Sequence, residues 1–245
     1  MKTQFKRIAA YILLLIISFL WANFTQGQKI KATSIESGGM GYSILGKSFI
    51  NLGDLNSHLE SRGYTAMSDN FFTVGGGGHA IMGNRWIIGG EGFSLLGDDV
   101  TGNNHKQSIT IGCGFFNLGY VVYSIHDLIV YPMLGIGGGG MSFKISEDIS
   151  SVTFDNILDD PERNTEITTS EFLLDLGGGI SYLLSFGKDE TDMGGMFIGI
   201  RGGYMISPFR GDWMLDDIEI TGAPDMGIKG PYIRIMIGGG AITRK

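Results

Sequence analysis

The chain has 245 residues, of which 41 are glycine, and 18 Lys and Arg against 25 Asp and Glu give it a formal net charge of −7. A nucleic-acid-binding domain needs a basic face, so this acidic balance argues against nucleic acid as a partner. Glycine without a three-residue period excludes collagen, and 43% hydrophobic residues argue against disorder. The single cysteine excludes an internal disulfide. A folded, β-rich chain of one domain, or at most two, remains.

The N-terminal segment has the three parts of a secretory signal peptide. Basic residues close to Met1 are followed by the apolar run 8–22 and by a short polar stretch that ends at Gly27. About 15 apolar residues are fewer than the roughly 20 that a membrane-spanning helix needs. We therefore expect residues 1–27 to be a signal peptide, with cleavage after Ala22 as the alternative, and 28–245 to be one exported domain.

Eight segments of the mature chain have the composition of β-strands and are bounded by turn residues. The connections between them alternate between short and long, and the first long one contains a short amphipathic helix over 52–64. This alternation is typical of an up-and-down barrel with short turns at one end and long loops at the other. The predicted strands are 37–46, 70–82, 85–96, 107–124, 128–145, 170–186, 194–206 and 229–242.

Alternation along these strands separates an aliphatic face from a face of glycine and isolated charges. A soluble barrel would turn the aliphatic face inward, whereas a membrane barrel turns it toward lipid and the charges into the lumen. Glycine and single charges make a poor solvent surface, which favours the membrane barrel. A filled lumen is the expected role of the charges, and a proton or ion path is the alternative. The predicted lumen charge network consists of Glu91, Asp175, Arg201 and Arg234.

The signal peptide, strand number, loop rhythm and glycine-rich strands such as 134–140 and 235–240 resemble the small eight-stranded outer-membrane β-barrels of Gram-negative bacteria, the OmpA or OmpX type. The resemblance covers residues 37–242. It implies an all-β fold, an eight-stranded antiparallel up-and-down transmembrane β-barrel, located in the outer membrane and in contact with outer-membrane lipid.

The resemblance also indicates the kind of function. A lumen that side chains nearly fill does not suit a general porin, so we expect a structural or surface-interaction role through long acidic extracellular loops. An extracellular ligand or protein would bind through the loops 47–69, 146–169 and 207–228.

Two phosphate-binding patterns occur in the sequence, and both stand in the wrong context. Residues 41–48 match a phosphate loop, and residues 135–140 match a dinucleotide fingerprint with Asp160 about 20 residues further on. No buried strand precedes the first pattern and no helix follows the second, as these sites require. We expect both to be chance matches in a glycine-rich chain.

Histidines near serine and aspartate give a second hypothesis, an outer-membrane lipid-modifying hydrolase on the same barrel. His105 is close in sequence to Asp98, Asp99 and Ser108, and His126 is beside Ser124 and Asp127. No family signature supports either group. The sequence therefore predicts no catalytic residue, no metal site and no cofactor, and an enzyme activity stays open.

A third hypothesis is a soluble exported β-barrel that binds an apolar ligand in its interior. In that arrangement the aliphatic faces of the last two strands would point inward, with Ile198, Ile200, Ile233, Ile235 and Ile237 lining the cavity.

Overall fold

A computed structural model describes residues 35–83, 85–125, 127–148, 153–159, 164–186 and 192–244. The predicted signal peptide, His126 and Asp160 lie outside these residues. The described part is dominated by eight long strands: β1 (Ile35–Phe49), β2 (Asn70–Met82), β3 (Trp86–Leu96), β4 (His105–Tyr120), β5 (Leu128–Glu147), β6 (Asn164–Ser185), β7 (Asp192–Arg210) and β8 (Gly230–Arg244).

Short elements occupy the connections. They are the helices α1 (Gly53–Ser61) and α2 (Phe154–Asp159) and the strands Val100–Gly102, Tyr123–Ile125, Met214–Leu215 and Ile218–Glu219. Neither helix in the described ranges has the length and apolar composition that crossing a bilayer requires.

The sheet closes on itself. Each long strand pairs antiparallel with the next, and β8 pairs with β1, which gives the predicted eight-stranded up-and-down barrel. Directly paired residues can be followed from strand to strand once round the barrel. Such a path leaves β1 at Gly38 and returns to β1 at Ser48, so the barrel has a stagger of 10 residues. Stagger and strand number together fix the tilt of the strands and the width of the barrel.

The strand boundaries agree with the sequence to within three residues except at three ends. β4 ends at Tyr120, where the sequence predicted 124, and Tyr123–Ile125 forms a separate short strand. β6 begins at Asn164 and β7 ends at Arg210, where the sequence predicted 170 and 206. The prediction required apolar residues, whereas the β6 extension has a polar outer face and the β7 extension contains Ser207, Pro208 and Arg210. The short amphipathic helix is confirmed as α1, with Leu55 and Leu59 buried.

Both phosphate-binding patterns lie inside regular strands. Residues 41–48 belong to β1 and residues 135–140 to β5. A phosphate site of either kind needs a loop that leads into a helix. The interpretation of both as chance matches is therefore confirmed.

The core of the protein is the interior of the barrel, where apolar side chains form one cluster toward each end. The loop-end cluster joins residues of the strands to Leu55 and Leu59 of α1 and to Trp213, Met226 and Ile228 of the β7–β8 connection. The turn-end cluster consists of Ile81, Ile87, Val121, Ile129, Tyr131, Met133, Leu183 and Ile242. Side chains thus fill the lumen toward both ends.

Inward-facing glycines make room for two large tyrosines. A Cβ atom at Gly203 would lie 2.5 Å from the Tyr232 hydroxyl oxygen, and one at Gly177 would lie 2.6 Å from it. A Cβ atom at Gly179 would lie 2.8 Å from the Tyr131 hydroxyl oxygen. These glycines are required by close packing inside a narrow barrel.

Candidate functional site

The two faces of each strand have opposite surroundings. Arg201 and Arg234 are 1% exposed, whereas their neighbours Ile200 and Ile235 are 54% and 48% exposed. The other hydrophobic residues of the third hypothesis, Ile198, Ile233 and Ile237, are also exposed on the outer wall. The prediction of an inward aliphatic face, which the soluble ligand-binding barrel requires, is therefore wrong.

The centre of the lumen is organised around Glu91. Arg201 and Arg234 are directly opposite each other in the β7–β8 ladder, where like charges are destabilising. Glu91 reaches them from β3: its Oε2 accepts a hydrogen bond from Arg201 Nη1 at 2.5 Å, and its Oε1 accepts one from Arg234 Nη1 at 3.3 Å. One carboxylate therefore bridges two arginines across the barrel.

Asp175 provides the second acidic group. Its Oδ2 lies 3.7 Å from Arg234 Nη1 and accepts a hydrogen bond from the Tyr232 hydroxyl at 3.0 Å. The guanidinium of Arg234 lies between the rings of Phe93 and Tyr232, 3.8 and 3.7 Å from their centroids, in cation–π geometry. Two carboxylates and two guanidiniums balance in charge, as buried ionic groups require.

The structure thus brings the four predicted residues together, but the main contacts cross the lumen from β3 to β7 and β8. Asp175, Arg201 and Arg234 stand on the consecutive strands β6, β7 and β8, whereas Glu91 stands on β3. Strand adjacency alone could not show that the two arginines are opposite each other and need a carboxylate from the far wall.

Uncharged polar residues complete the network, and the sequence analysis missed them. The Tyr42 hydroxyl donates to Glu91 Oε2 at 3.2 Å and lies 3.0 Å from His79 Nε2. Asn117 Nδ2 lies 3.3 Å from the same ring nitrogen. The available signal was the period-two pattern of β2, which places His79 on the same face as Phe71 and the buried core.

Glu171 is a further buried carboxylate. It is 6% exposed and lies on the inner face of β6. Its Oε2 accepts a hydrogen bond from the backbone N–H of Ile228 at 2.8 Å. It therefore helps hold the β7–β8 connection inside the loop end of the barrel.

Around His105, the structure does not form the arrangement of histidine, serine and aspartate that the hydrolase hypothesis requires. Its Nδ1 lies 2.7 Å from the Asn103 carbonyl oxygen, and its ring packs edge-on against Tyr64. Asp99 forms an ion pair with Lys106 at 2.8 Å. The arrangement around His126 lies outside the described residues. Within those residues, no group of three or more His, Cys, Asp or Glu side chains is placed to hold a metal ion.

The outer wall carries an apolar belt. On β3, the outward-facing Trp86 and Leu96 are 49% and 42% exposed and stand at the two ends of the strand. At about 3.3 Å per residue and a tilt of about 40°, that strand spans roughly 25 Å along the barrel axis, the height of the apolar band of outer-membrane barrels. Exposed aromatic residues near the two rims of this belt are Phe49, Phe72, Phe172 and Phe209 at the loop end and Trp86, Tyr123 and Tyr182 at the turn end.

The outer face of β4, β5 and β6 changes composition along the strands. Toward the turn end it carries apolar side chains, such as Leu118, Ile136 and Leu176. Toward the loop end the same face is polar. The change occurs at the same level on all three strands, because Ser142 of β5 pairs with Thr110 of β4 and with Thr168 of β6. The polar outward residues are Lys106, Ser108, Thr110, Ser142, Lys144, Ser146, Glu166, Thr168 and Ser170.

No protein-family model and no curated protein matches the chain. Ail, the attachment invasion locus protein of Yersinia pestis, aligns with 86% of this chain and 99% of its own, at 13% identity and a TM-score of 0.39. A major outer membrane protein from Thermus thermophilus aligns with 85% of this chain and 99% of its own, at 10% identity and a TM-score of 0.38. The outer membrane protein OprG from Pseudomonas aeruginosa aligns with 87% of this chain and 98% of its own, at 11% identity and a TM-score of 0.36.

The closed strand pairing and the outward aliphatic face define the fold. The chain is an eight-stranded β-barrel of the outer-membrane type.

Proposed function

We propose that this protein resides in the outer membrane of a Gram-negative envelope, where its closed barrel anchors long surface loops that bind an extracellular ligand or protein. The observation that carries the proposal is the exposure of aliphatic side chains on strands whose opposite face buries five charged ones. In water the exposed belt would favour association, whereas in a bilayer it is matched by lipid chains.

The filled lumen supports an anchor rather than a general porin. The network around Glu91 occupies the middle of the barrel, and the apolar clusters lie toward its two ends. A further backbone N–H, that of Asp225, donates to Asp54 Oδ2 at 2.5 Å and ties the β7–β8 connection to α1. The interior of an eight-stranded barrel is just wide enough for side chains to fill, which supports a lumen without a continuous water path.

The charge of the loops supports a cationic partner. Residues 148–163, which connect β5 to β6, carry five acidic residues against Arg163, and residues 211–229, which connect β7 to β8, carry five against Lys229. Surface charge of one sign steers partners of the opposite sign and speeds their association. We therefore infer that the loops bind a basic protein or peptide.

Envelope fractionation tests the location and the closure together. The full-length chain is expressed in a Gram-negative host, and the outer-membrane fraction is compared on a gel with and without boiling. We expect a detergent-extracted band that changes mobility on boiling, since a closed barrel resists unfolding by detergent. A periplasmic band that is soluble without detergent would overturn the membrane location.

Conductance tests the closed lumen separately. The purified barrel is inserted into a planar bilayer, and insertion is verified by its mobility shift on boiling. We expect no steady single-channel current. Stable open channels from the inserted protein would contradict the anchor role and favour the ion-path alternative.

A further inference from the structure

The polar outer face above the belt is continuous with the apolar wall. We define the hydroxyl face as Ser108, Thr110, Ser142, Lys144, Glu166, Thr168 and Ser170. On β6, Thr168 and Ser170 precede Phe172 and Leu174 on the same side of the strand. Because outward residues alternate regularly, a lipid whose acyl chains contact Leu174 has its headgroup at the level of Ser170 and Thr168.

The charges of the hydroxyl face are balanced. Lys144 is paired in register with Glu166, and Lys106 at its edge forms the ion pair with Asp99 at 2.8 Å. The Ser142 hydroxyl donates to Glu166 Oε1 at 2.6 Å. A face without excess positive charge has no preference for phosphate. Hydroxyls that donate and accept hydrogen bonds, together with a carboxylate that accepts them, match the hydroxyls of a neutral sugar.

An aromatic ring borders this face at the level of the headgroups. Phe209 is 71% exposed and lies 6.1 Å from the ring of Phe172. The backbone N–H of Gly211 donates to the Ser170 carbonyl at 2.8 Å, which holds the end of β7 against the hydroxyl face. The negative face of an aromatic ring suits the C–H groups of a sugar ring.

We propose that the hydroxyl face, together with Phe209, binds the neutral sugar headgroup of a membrane glycolipid. The inference rests on the proposed membrane location. It assigns the sugar to a lipid rather than to free saccharide because the hydroxyl face continues into the belt, where the acyl chains of the same molecule are buried.

Lipid retention tests the inference. The full chain is inserted into phosphatidylcholine vesicles that contain digalactosyl diacylglycerol or, in matched vesicles, phosphatidylglycerol with the same acyl chains. The lipids that stay bound after detergent extraction are measured by native mass spectrometry. We expect preferential retention of the digalactosyl lipid.

Variants localise the site. The triple change Ser142→Ala, Thr168→Ala and Ser170→Ala removes three hydroxyls, and at about 1 kcal/mol per hydrogen bond it should weaken retention by tenfold or more. Phe209→Ala should also weaken it. The control Ser57→Ala with Ser61→Ala removes two hydroxyls from α1, away from the hydroxyl face, and should leave retention unchanged.

The outcomes separate this inference from the proposed function. An inserted barrel that retains both lipids equally overturns the inference alone, and so does one that prefers phosphatidylglycerol or keeps its preference in the triple variant. A chain that does not insert into either vesicle overturns the proposed function and the inference together.

Discussion

The inner and outer surfaces of the barrel are built from alternate residues of the same strands, yet their chemistry is opposite. Ile200 and Arg201 are neighbours in the chain, and one faces the surroundings while the other is completely enclosed. On the inside, a charge is stable because a partner across the lumen meets it. On the outside, the belt consists of apolar side chains, and this part of the wall is stable only where its surroundings are apolar. Removal of a charge should therefore destabilise the inner surface, whereas addition of a charge should destabilise the outer one.

Removal of the central carboxylate should have the largest effect. Glu91→Gln leaves Arg201 and Arg234 opposite each other without the carboxylate that bridges them. Loss of one partner of a buried pair costs about 3–5 kcal/mol. We expect a decrease of that size in the free energy of unfolding, measured by urea titration of the barrel in vesicles.

A double variant serves as the control for this prediction. Glu91→Gln combined with Arg201→Met removes a charge of each sign and should recover part of the lost stability. If Glu91→Gln alone unfolds as the native chain does, Glu91 does not hold the lumen together.

A charge placed on the outer wall should have the next largest effect. Ile235→Arg puts a guanidinium in the middle of the belt, where lipid chains cannot solvate it, and should cost about 2–4 kcal/mol. The matched control is Thr168→Arg on the hydroxyl face, which should change stability by less than about 1 kcal/mol. Equal effects in the same urea titration would show that the belt does not face lipid.

Overfilling the lumen should have an intermediate effect. Gly203→Val places side-chain atoms against the Tyr232 hydroxyl and displaces it from Asp175, at a cost of about 1–3 kcal/mol for overpacking. Gly112→Ala is the control, because a Cβ at that position meets no atom within 4 Å. A smaller loss for Gly203→Val than for Gly112→Ala, by thermal or urea unfolding, would contradict the close-packing role.

The smallest effect is expected at an ion pair outside the belt. The hydrogen bond from Lys106 to Asp99, and then the charge of that carboxylate, raise the pKa of Lys106 above its ordinary value. The contribution of this pair is present at neutral pH and is lost as the pH rises through the raised pKa. We expect an NMR titration of the Lys106 ammonium to show the raised pKa, and Asp99→Asn to return it toward the ordinary value. An unchanged titration would exclude the pair in solution.

Much of this contrast could be predicted from the sequence. Regular alternation assigned Asp175, Arg201 and Arg234 to the face opposite the aliphatic residues, and the structure agrees because strand geometry leaves side chains only two directions. The hub role of Glu91 could not be predicted, since it depends on the stagger that brings β3 opposite β7 and β8. His79 and Tyr42 were missed because their uncharged side chains gave no contrast with the apolar residues around them.

Closure of the barrel also sets the order in which it can be completed. The pairing of β1 with β8 joins segments from opposite ends of the described chain, so it forms only after every intervening strand exists. Until then β1 and the last strand in place present unpaired edges, and the apolar belt is exposed to water. Open edges and apolar surface are what lead partly folded chains to aggregate. A chain whose barrel has not yet closed is therefore prone to aggregate in water.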